Sequence, residues 1–213
     1  MSKGSGKWKA LYEGFLKKTP KQSRSRALVE VMLSATKEVL ARSRDEDEVT
    51  VQAVADRAGV GIGSLYDYFA DRESLLSGVA AKLTEDNLQN LQRVLAESRD
   101  EPVGVAVERV VDHVFATYVR DPAVPRAVLR IAHRIDFMPF LARSQAAFAA
   151  TLAADLRERK DVNVADADVA AYVLTNATMG LVHTLVWRAE EEPDEATLRR
   201  ELVRAWTTYL SNG

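Results

Sequence analysis

Between Thr50 and Phe69 the residue types and spacing suit contact with a nucleic-acid groove better than catalysis. Ser64, Tyr66, Asp67 and Tyr68 put hydroxyl, carboxylate and aromatic groups on one short helical segment, and Leu65 and Phe69, four apart, are its inward pair. Ahead of it, Thr50 precedes an apolar run (Val51, Val54, Ala55), and its hydroxyl can accept from the free backbone N–H groups of the helix it opens. Gly59 stops that helix in a left-handed conformation that a β-carbon disfavours. Ala58 lets two helices approach, and Val60 plugs the corner. The stretch reads as a helix-turn-helix, whose second helix is sized to lie in the DNA major groove.

Other reactive groups form no comparable pattern. His113, His133 and His183 are far apart in the chain and read as packed or pocket-lining residues rather than a metal set. Asp112-His113 has no partner at phosphohydrolase spacing. No Ser-His-Asp ordering, phosphate-cradling glycine loop or close glutamate pair stands out. With no cysteine, disulfides, thiolate zinc sites and cysteine nucleophiles are excluded. The expectation is a protein that is not an enzyme, with no metal and no cofactor.

The elements that position these residues are helices throughout, since alternating strand patterns are absent. Trp8, Leu11, Tyr12, Phe15 and Leu16 form one apolar stripe, ended by Pro20. A helix from about Arg24 to Arg42 is expected to face inward with Ala27, Val31, Ala35 and Val39, widened by Leu28, Met32 and Leu40. Arg44 to Glu48 reads as a polar loop. Asp71 resembles the cap of a long helix reaching about Ser98. Further helices are expected over about 102–121, 123–134, 140–160, 167–190 and 194–211, with Pro139 interrupting the patch Phe137-Met138-Pro139-Phe140. The total expected is nine or ten.

At 213 residues the chain is long enough to bury a core without staples. Its net charge of −2 conceals an asymmetry: residues 1–26 hold eight basic residues and one acid, so this leader is +7 and the remainder −9. Such imbalance hints at nucleic-acid contact at the basic end. No long apolar run follows the N-terminal lysines, and no stretch is read as approaching the ~18 apolar residues of a membrane span. A soluble, cytoplasmic protein is expected.

The run Ala-Asp-Arg-Ala-Gly-Val-Gly-Ile-Gly-Ser-Leu-Tyr-Asp-Tyr-Phe-Ala-Asp-Arg-Glu-Ser-Leu-Leu at 55–76 closely resembles the TetR (tetracycline-repressor-like) family of bacterial regulators, whose pattern reads I-A-x-x-A-G-V-S-x-G-T-L-Y-x-Y-F-x-x-K-E-x-L. Thr-Pro-Lys-Gln-Ser-Arg-Ser-Arg at 19–26 looks like the basic lead-in of a subset of that family. The motif resemblance covers about residues 19–80. It implies an all-α protein with a basic arm and short amphipathic helix (1–21), a helix-turn-helix DNA-binding domain (22–72) and a ligand-binding and dimerisation domain (73–213). It also implies a homodimer on double-stranded palindromic DNA, with half-sites about one turn (~34–36 Å) apart.

Carried over residue by residue, the resemblance implies that Thr50 caps its helix and touches a phosphate. Gly61, Ile62, Ser64 and Leu65 would enter or flank the groove, and Tyr66 and Tyr68 would pack on sugar or donate to phosphate. Arg72 matches the family's basic residue at the start of the fourth helix. Three departures stand out: Gly61 replaces the usual Ser, Ile62 a frequent Lys, and Asp67 a basic or neutral residue. The second helix is thus poorer in phosphate contacts, and the basic leader, Lys21, Arg24 and Arg26 included, is expected to compensate.

The same resemblance implies a cavity among helices spanning about 75–160. Candidates for its lining are Phe115, Tyr118, Phe137, Met138, Phe140 and Phe148, with His113 and Asn176 as polar anchors and a small hydrophobic or aromatic effector as ligand. The last two helices are expected to pair with a second copy. Ala170, Ala177, Gly180 and Thr184 form their small-residue stripe, and Leu174, Leu181, Leu185, Leu202, Trp206 and Tyr209 their apolar anchors. The reading is a homodimeric repressor released by its effector. The alternatives are an all-helical small-molecule-binding or catalytic protein with a structural helix-turn-helix, and an effector-independent DNA-binding protein.

Overall fold

The structure is a computed structural model that describes residues 14–43, 48–120, 122–132, 138–187 and 194–212. The expected leader helix around Trp8, Leu11 and Tyr12, most of the 44–48 loop, His133 and Phe137 lie outside them. Among the described residues there are nine α-helices and no strand: α1 (Ser23–Arg42), α2 (Val51–Ala58), α3 (Ile62–Tyr66), α4 (Arg72–Glu97), α5 (Val103–Tyr118), α6 (Ala123–Ala132), α7 (Met138–Glu158), α8 (Ala167–Val186) and α9 (Glu195–Asn212).

Two compact units divide the chain. The first takes residues 1–85 and 123–135, the second 86–122 and 136–213. The division falls inside α4 and sets α6 with the N-terminal helices, whereas the sequence suggests a boundary at 72–73. A long amphipathic helix carries no composition break at the point where its neighbours change.

In the first unit, Val29, Met32, Leu33 and Leu40 of α1 pack with Val54 and Ala55 of α2, Leu65 of α3 and Leu75, Leu76 and Val79 of α4, all buried. The buried stripe of α1 keeps Met32, Ala35 and Leu40 of the one expected but is turned at its first half: Val31 is 47% exposed and Ala27 is exposed, while Val29 and Leu33 go inward. Both stripes obey helical spacing, so periodicity alone does not choose between them. Gly78 sets the approach of α4 to this core, because a β-carbon there would stand 2.8 Å from Leu33 Cδ2 and 3.0 Å from Phe69 Cε1.

The core of the second unit gathers Leu91 and Leu95 of α4, Val107, Val111 and Phe115 of α5, Leu152 and Leu156 of α7, Leu174 of α8, and Trp206 and Leu210 of α9. One buried ion pair ties its turns together. Arg159 Nε donates to Asp155 at 2.7 Å with both side chains 5% exposed or less. Its other nitrogens donate to the Ser98 and Glu101 carbonyls at 2.9 and 3.0 Å. The buried guanidinium thus has partners all round, as a charge out of water requires. Asp161 Oδ2 accepts from the Val103 N–H at 2.6 Å and so serves the start of α5.

Two sequence readings are corrected here. Pro139 does not interrupt a helix; it lies in the first turn of α7, where its missing N–H costs nothing. And α8, contrary to expectation, is long and apolar enough by length and composition to cross a membrane. In the fold its apolar residues divide between a buried face (Ala170, Ala171, Leu174, Val182) and an exposed one (Val169, Tyr172, Val173, Trp187).

Candidate nucleic-acid interface and ligand cavity

The helix-turn-helix is held by local hydrogen bonds that its residue types dictate. Thr50 Oγ1 accepts from the Ala53 N–H at 3.1 Å and caps α2. Gly59 ends α2 at φ 66°, ψ 33°, the left-handed region that favours glycine, and the Val60 N–H returns to the Ala55 carbonyl at 3.1 Å. Asp71 Oδ1 accepts from the Ser74 N–H at 2.8 Å while Ser74 Oγ accepts from the Asp71 N–H at 3.1 Å, a reciprocal cap at the start of α4. An ion pair between Arg57 and Glu38 braces α2 against α1.

On this frame α3 exposes Gly61, Ile62, Gly63, Tyr66 and Asp67, with Ser64 half-buried. Two of the residues expected at the DNA are buried in the free protein. Leu65 is wholly buried, because it is the side chain that anchors the short helix to the core. Tyr68 is also buried, at 6% exposure, correcting the expectation that it points outward. The chain turns at the end of α3, where the Tyr68 and Phe69 N–H groups both donate to the Leu65 carbonyl, at 3.0 and 2.8 Å. Arg72 is half-buried, and its Nε donates to the Val49 carbonyl at 3.0 Å, tying α4 to the residue before the α2 cap.

The basic leader contributes a contact that the sequence did not single out. The Lys17 backbone N–H donates to the Tyr68 carbonyl at 2.8 Å, and Lys17 Nζ to the Tyr66 carbonyl at 2.9 Å. Lys18 Nζ stands 4.9 Å from the centre of the Tyr68 ring, within cation–π range. Lys21 and Arg24 are exposed, whereas Arg26 is half-buried with its Nε directed at the Pro20 carbonyl at 3.5 Å.

In the second unit a cavity of about 60 Å³ opens among α4, α5, α7, α8 and α9. Of the residues expected there, His113, Tyr118 and Phe148 line it. They are joined by Asn87, Thr175, Thr178 and Met179, which no sequence pattern marks out, and by Trp206, which the sequence places equally well at a subunit contact. Phe115 is wholly buried in the core cluster and turned off the Val110–His113–Tyr118 stripe. Phe140 is buried two helical turns before Phe148 and lines nothing here, and Met138 is 63% exposed. Asn176 spends its Nδ2 on the Tyr172 carbonyl at 2.8 Å; the amide at the cavity belongs instead to Asn87, whose Nδ2 donates to the Tyr118 hydroxyl at 3.0 Å. Burial lowers the His113 imidazole below its ordinary value, helped by the Arg93 charge, and pushes the Tyr118 phenol up to about 12. Both are therefore neutral at pH 7, and among the described residues no Lys, Arg, Asp or Glu lines the cavity.

The residues expected to pair subunits divide in two. Ala170, Leu174 and Trp206 are buried in their own core, and Leu181 and Leu202 pack against it. Ala177, Gly180, Thr184 and Tyr209 are exposed. With Val169, Tyr172, Val173 and Trp187 they leave an apolar stripe along α8 open to solvent. Helical spacing contained this stripe, but α8 is apolar nearly all round, so hydrophobicity did not separate its two faces.

Two family models match the chain in succession. The family model for bacterial regulatory proteins of the tetR family matches residues 33–79, and that for the tetracyclin repressor-like C-terminal domain matches residues 102–210. No curated protein matches the chain. Among solved structures, one from Mesorhizobium loti MAFF303099, placed in the TetR family, is 16% identical with a TM-score of 0.69 over 89% of this chain and 100% of its own. AlkX from Dietzia sp. strain DQ12-45-1b, a TetR family repressor implicated in biodegradation of n-alkanes, is 19% identical with a TM-score of 0.59 over 85% of this chain and 97% of its own. SmeT, repressor of the Stenotrophomonas maltophilia multidrug efflux pump SmeDEF, is 20% identical with a TM-score of 0.60 over 89% and 93%. At these identities the likeness is one of fold, while the two family models span most of the chain. The protein belongs to the TetR family of bacterial regulatory proteins and is a DNA-binding regulator, not an enzyme.

Proposed function

We propose that this protein is a homodimeric transcriptional repressor that occupies a palindromic operator until a small apolar molecule fills the cavity of its second unit. The observation that carries the reading is the α2–α3 corner. Gly59 turns the chain so that Ile62 and Tyr66 face solvent above a buried Leu65, the arrangement a groove-reading helix needs. Thr50, Gly61, Ser64 and Arg72 would contact or flank the backbone or groove, with Lys21, Arg24 and the basic leader other than Lys17 adding phosphate contacts. Work on DNA would place the protein in the cytoplasm.

The exposed apolar stripe of α8, with Tyr209 of α9, is the surface on which two copies would pair, and a two-fold dimer suits a palindrome with half-sites about one DNA turn apart. A ligand can release DNA only by binding more tightly to the form whose heads no longer fit the operator. Small-molecule control is supported by the neutral, apolar cavity and by SmeT, which forms a complex with triclosan.

The test is selection of binding sites from random DNA at fixed salt, with purified protein whose mass in solution is known. A palindromic consensus bound by a dimer is the expected result. Val173→Glu, a charge in the middle of the exposed stripe, should give a folded monomer that loses the operator. A wild-type protein that is monomeric at micromolar concentration, or that selects no sequence, would end the proposal.

A further inference from the structure

We propose that the cavity selects a neutral, largely apolar ring compound carrying one hydrogen-bond acceptor, such as a ketone or ester carbonyl, and rejects carboxylates and amines. This rests on the reading of the cavity as the effector site. Its first support is a set of orphaned polar atoms. His113 Nε2, Thr178 Oγ1 and Trp206 Nε1 are buried and have no hydrogen-bond partner among the described residues, and all three belong to residues that line this one cavity. Thr178 and Trp206 are each only 4% exposed, so bulk water does not reach them freely.

The chemistry of those atoms sets the ligand's polarity. An indole N–H can only donate, and a threonine hydroxyl can donate. The Tyr118 hydroxyl already accepts from Asn87 and keeps its own hydrogen to give. The neutral imidazole donates or accepts according to its tautomer. The Trp206 N–H can be served only by an acceptor, and the Thr178 and Tyr118 hydroxyls can each give a hydrogen to one, so an acceptor on the incoming molecule satisfies these groups. Bridging water can serve these groups in the unliganded protein, so a compound that displaces it without bringing an acceptor loses that contribution.

Charge is excluded by the same surroundings. An ion would surrender its hydration to a lining that has, among the described residues, no charged side chain, and neutral donors alone would not make up the loss. Burial holds His113 and Tyr118 in their neutral forms, so neither supplies a countercharge. Phe148, Trp206 and Tyr118 offer flat apolar walls suited to a ring.

Size adds a requirement. About 60 Å³ is less than half of the ~150 Å³ apolar cavity that admits benzene. A ring compound must therefore displace side chains, and Met179, flexible and unbranched, is the wall best able to yield. Close packing leaves the rest of the displacement to the helices themselves.

Four compounds of nearly one shape test the assignment on the full-length protein: acetophenone, benzoate, benzylamine and ethylbenzene, with dissociation constants from ligand-observed NMR. Acetophenone should bind at least tenfold more tightly than benzoate or benzylamine and several-fold more tightly than ethylbenzene. Thr178→Val, which keeps the side-chain volume, should reduce the ketone's advantage over ethylbenzene, and Thr178→Val with Trp206→Phe should erase it while ethylbenzene still binds. A charged compound that binds as well as the ketone, an ethylbenzene affinity equal to the ketone's, or binding by none of the four overturns the proposal. The selected operator separates the two ideas. Selective ketone binding that leaves DNA affinity unchanged upholds the cavity chemistry and removes release by effector. A charged compound that releases DNA through this cavity does the reverse.

Discussion

Lys17 grips the end of the recognition helix: its Nζ donates to the Tyr66 carbonyl at 2.9 Å while its own N–H donates to the Tyr68 carbonyl at 2.8 Å. The lysine thereby satisfies the carbonyl of the last residue of α3 and that of Tyr68, two residues beyond it. Its charge is committed to protein rather than held out toward a phosphate. Lys17→Ala should therefore weaken operator binding only about two- to fivefold, the value of one lost hydrogen bond at an exposed site. The dependence of affinity on salt should not change. A fall of the salt slope by about one would instead assign Lys17 to a phosphate. Fluorescence anisotropy across a salt series distinguishes the two.

Gly61 opens α3 without a side-chain cap, in ordinary extended backbone at φ −65°, ψ 141°. A β-carbon there would meet nothing within 4 Å. Gly61→Ser restores the residue usual in the family and fits without strain. It should cap α3, a gain of a few tenths of a kcal/mol over glycine. It should also add a donor toward the DNA backbone and raise operator affinity several-fold, read by titration at constant salt.

At Gly78 the space is missing. Alanine gains up to about 1 kcal/mol of helix propensity, but its methyl must push Leu33 and Phe69, both almost fully buried, and such overpacking costs about 1–3 kcal/mol. The net is a loss, and Gly78→Val should lose more than Gly78→Ala. Thermal unfolding should fall by about 2–4 °C per kcal/mol for a chain of this size.

The histidines give a pH dependence of definite sign. Burial lowers both His113 and His183 from their ordinary value of 6.5, so below that value the unfolded chain binds protons that the folded chain resists. Stability should hold above pH 6.5 and decline as pH falls from 6.5 through the lowered folded values. Denaturant midpoints at pH 7.5, 6.5 and 5.5 measure the slope, and His113→Gln should flatten it. A midpoint that rises on acidification over this range would contradict the assignment.

What could be read from the sequence was what depends on near neighbours. Thr50, Gly59 and the Asp71–Ser74 cap act within four residues, so their types announce the turn and the helix starts directly. Which face of a helix goes inward depends on distant partners. On α1, Val29 and Val31 are equally apolar, yet only Val29 is covered. On α9, Trp206 suits either a subunit contact or a core, and packing decides for the core. The cavity was the least legible feature, since it is defined by atoms that fail to meet. Thr178 and His113 read as ordinary polar residues on apolar helices until Trp206 and Phe148 close around them.

One helix carries both of the surfaces proposed here. Thr175, Thr178 and Met179 of α8 line the cavity, while Val173, Ala177 and Gly180, their neighbours in the chain, lie on the exposed stripe. The two sets alternate along a single rigid rod, so a change that displaces the rod at one set is felt at the other. A descendant that enlarged the cavity at Met179 would shift Gly180 with it and change which copies of the protein recognise each other. New effector preference and new partner preference would then arise in one step, giving a duplicated gene a direct way to stop mixing its subunits with those of its parent.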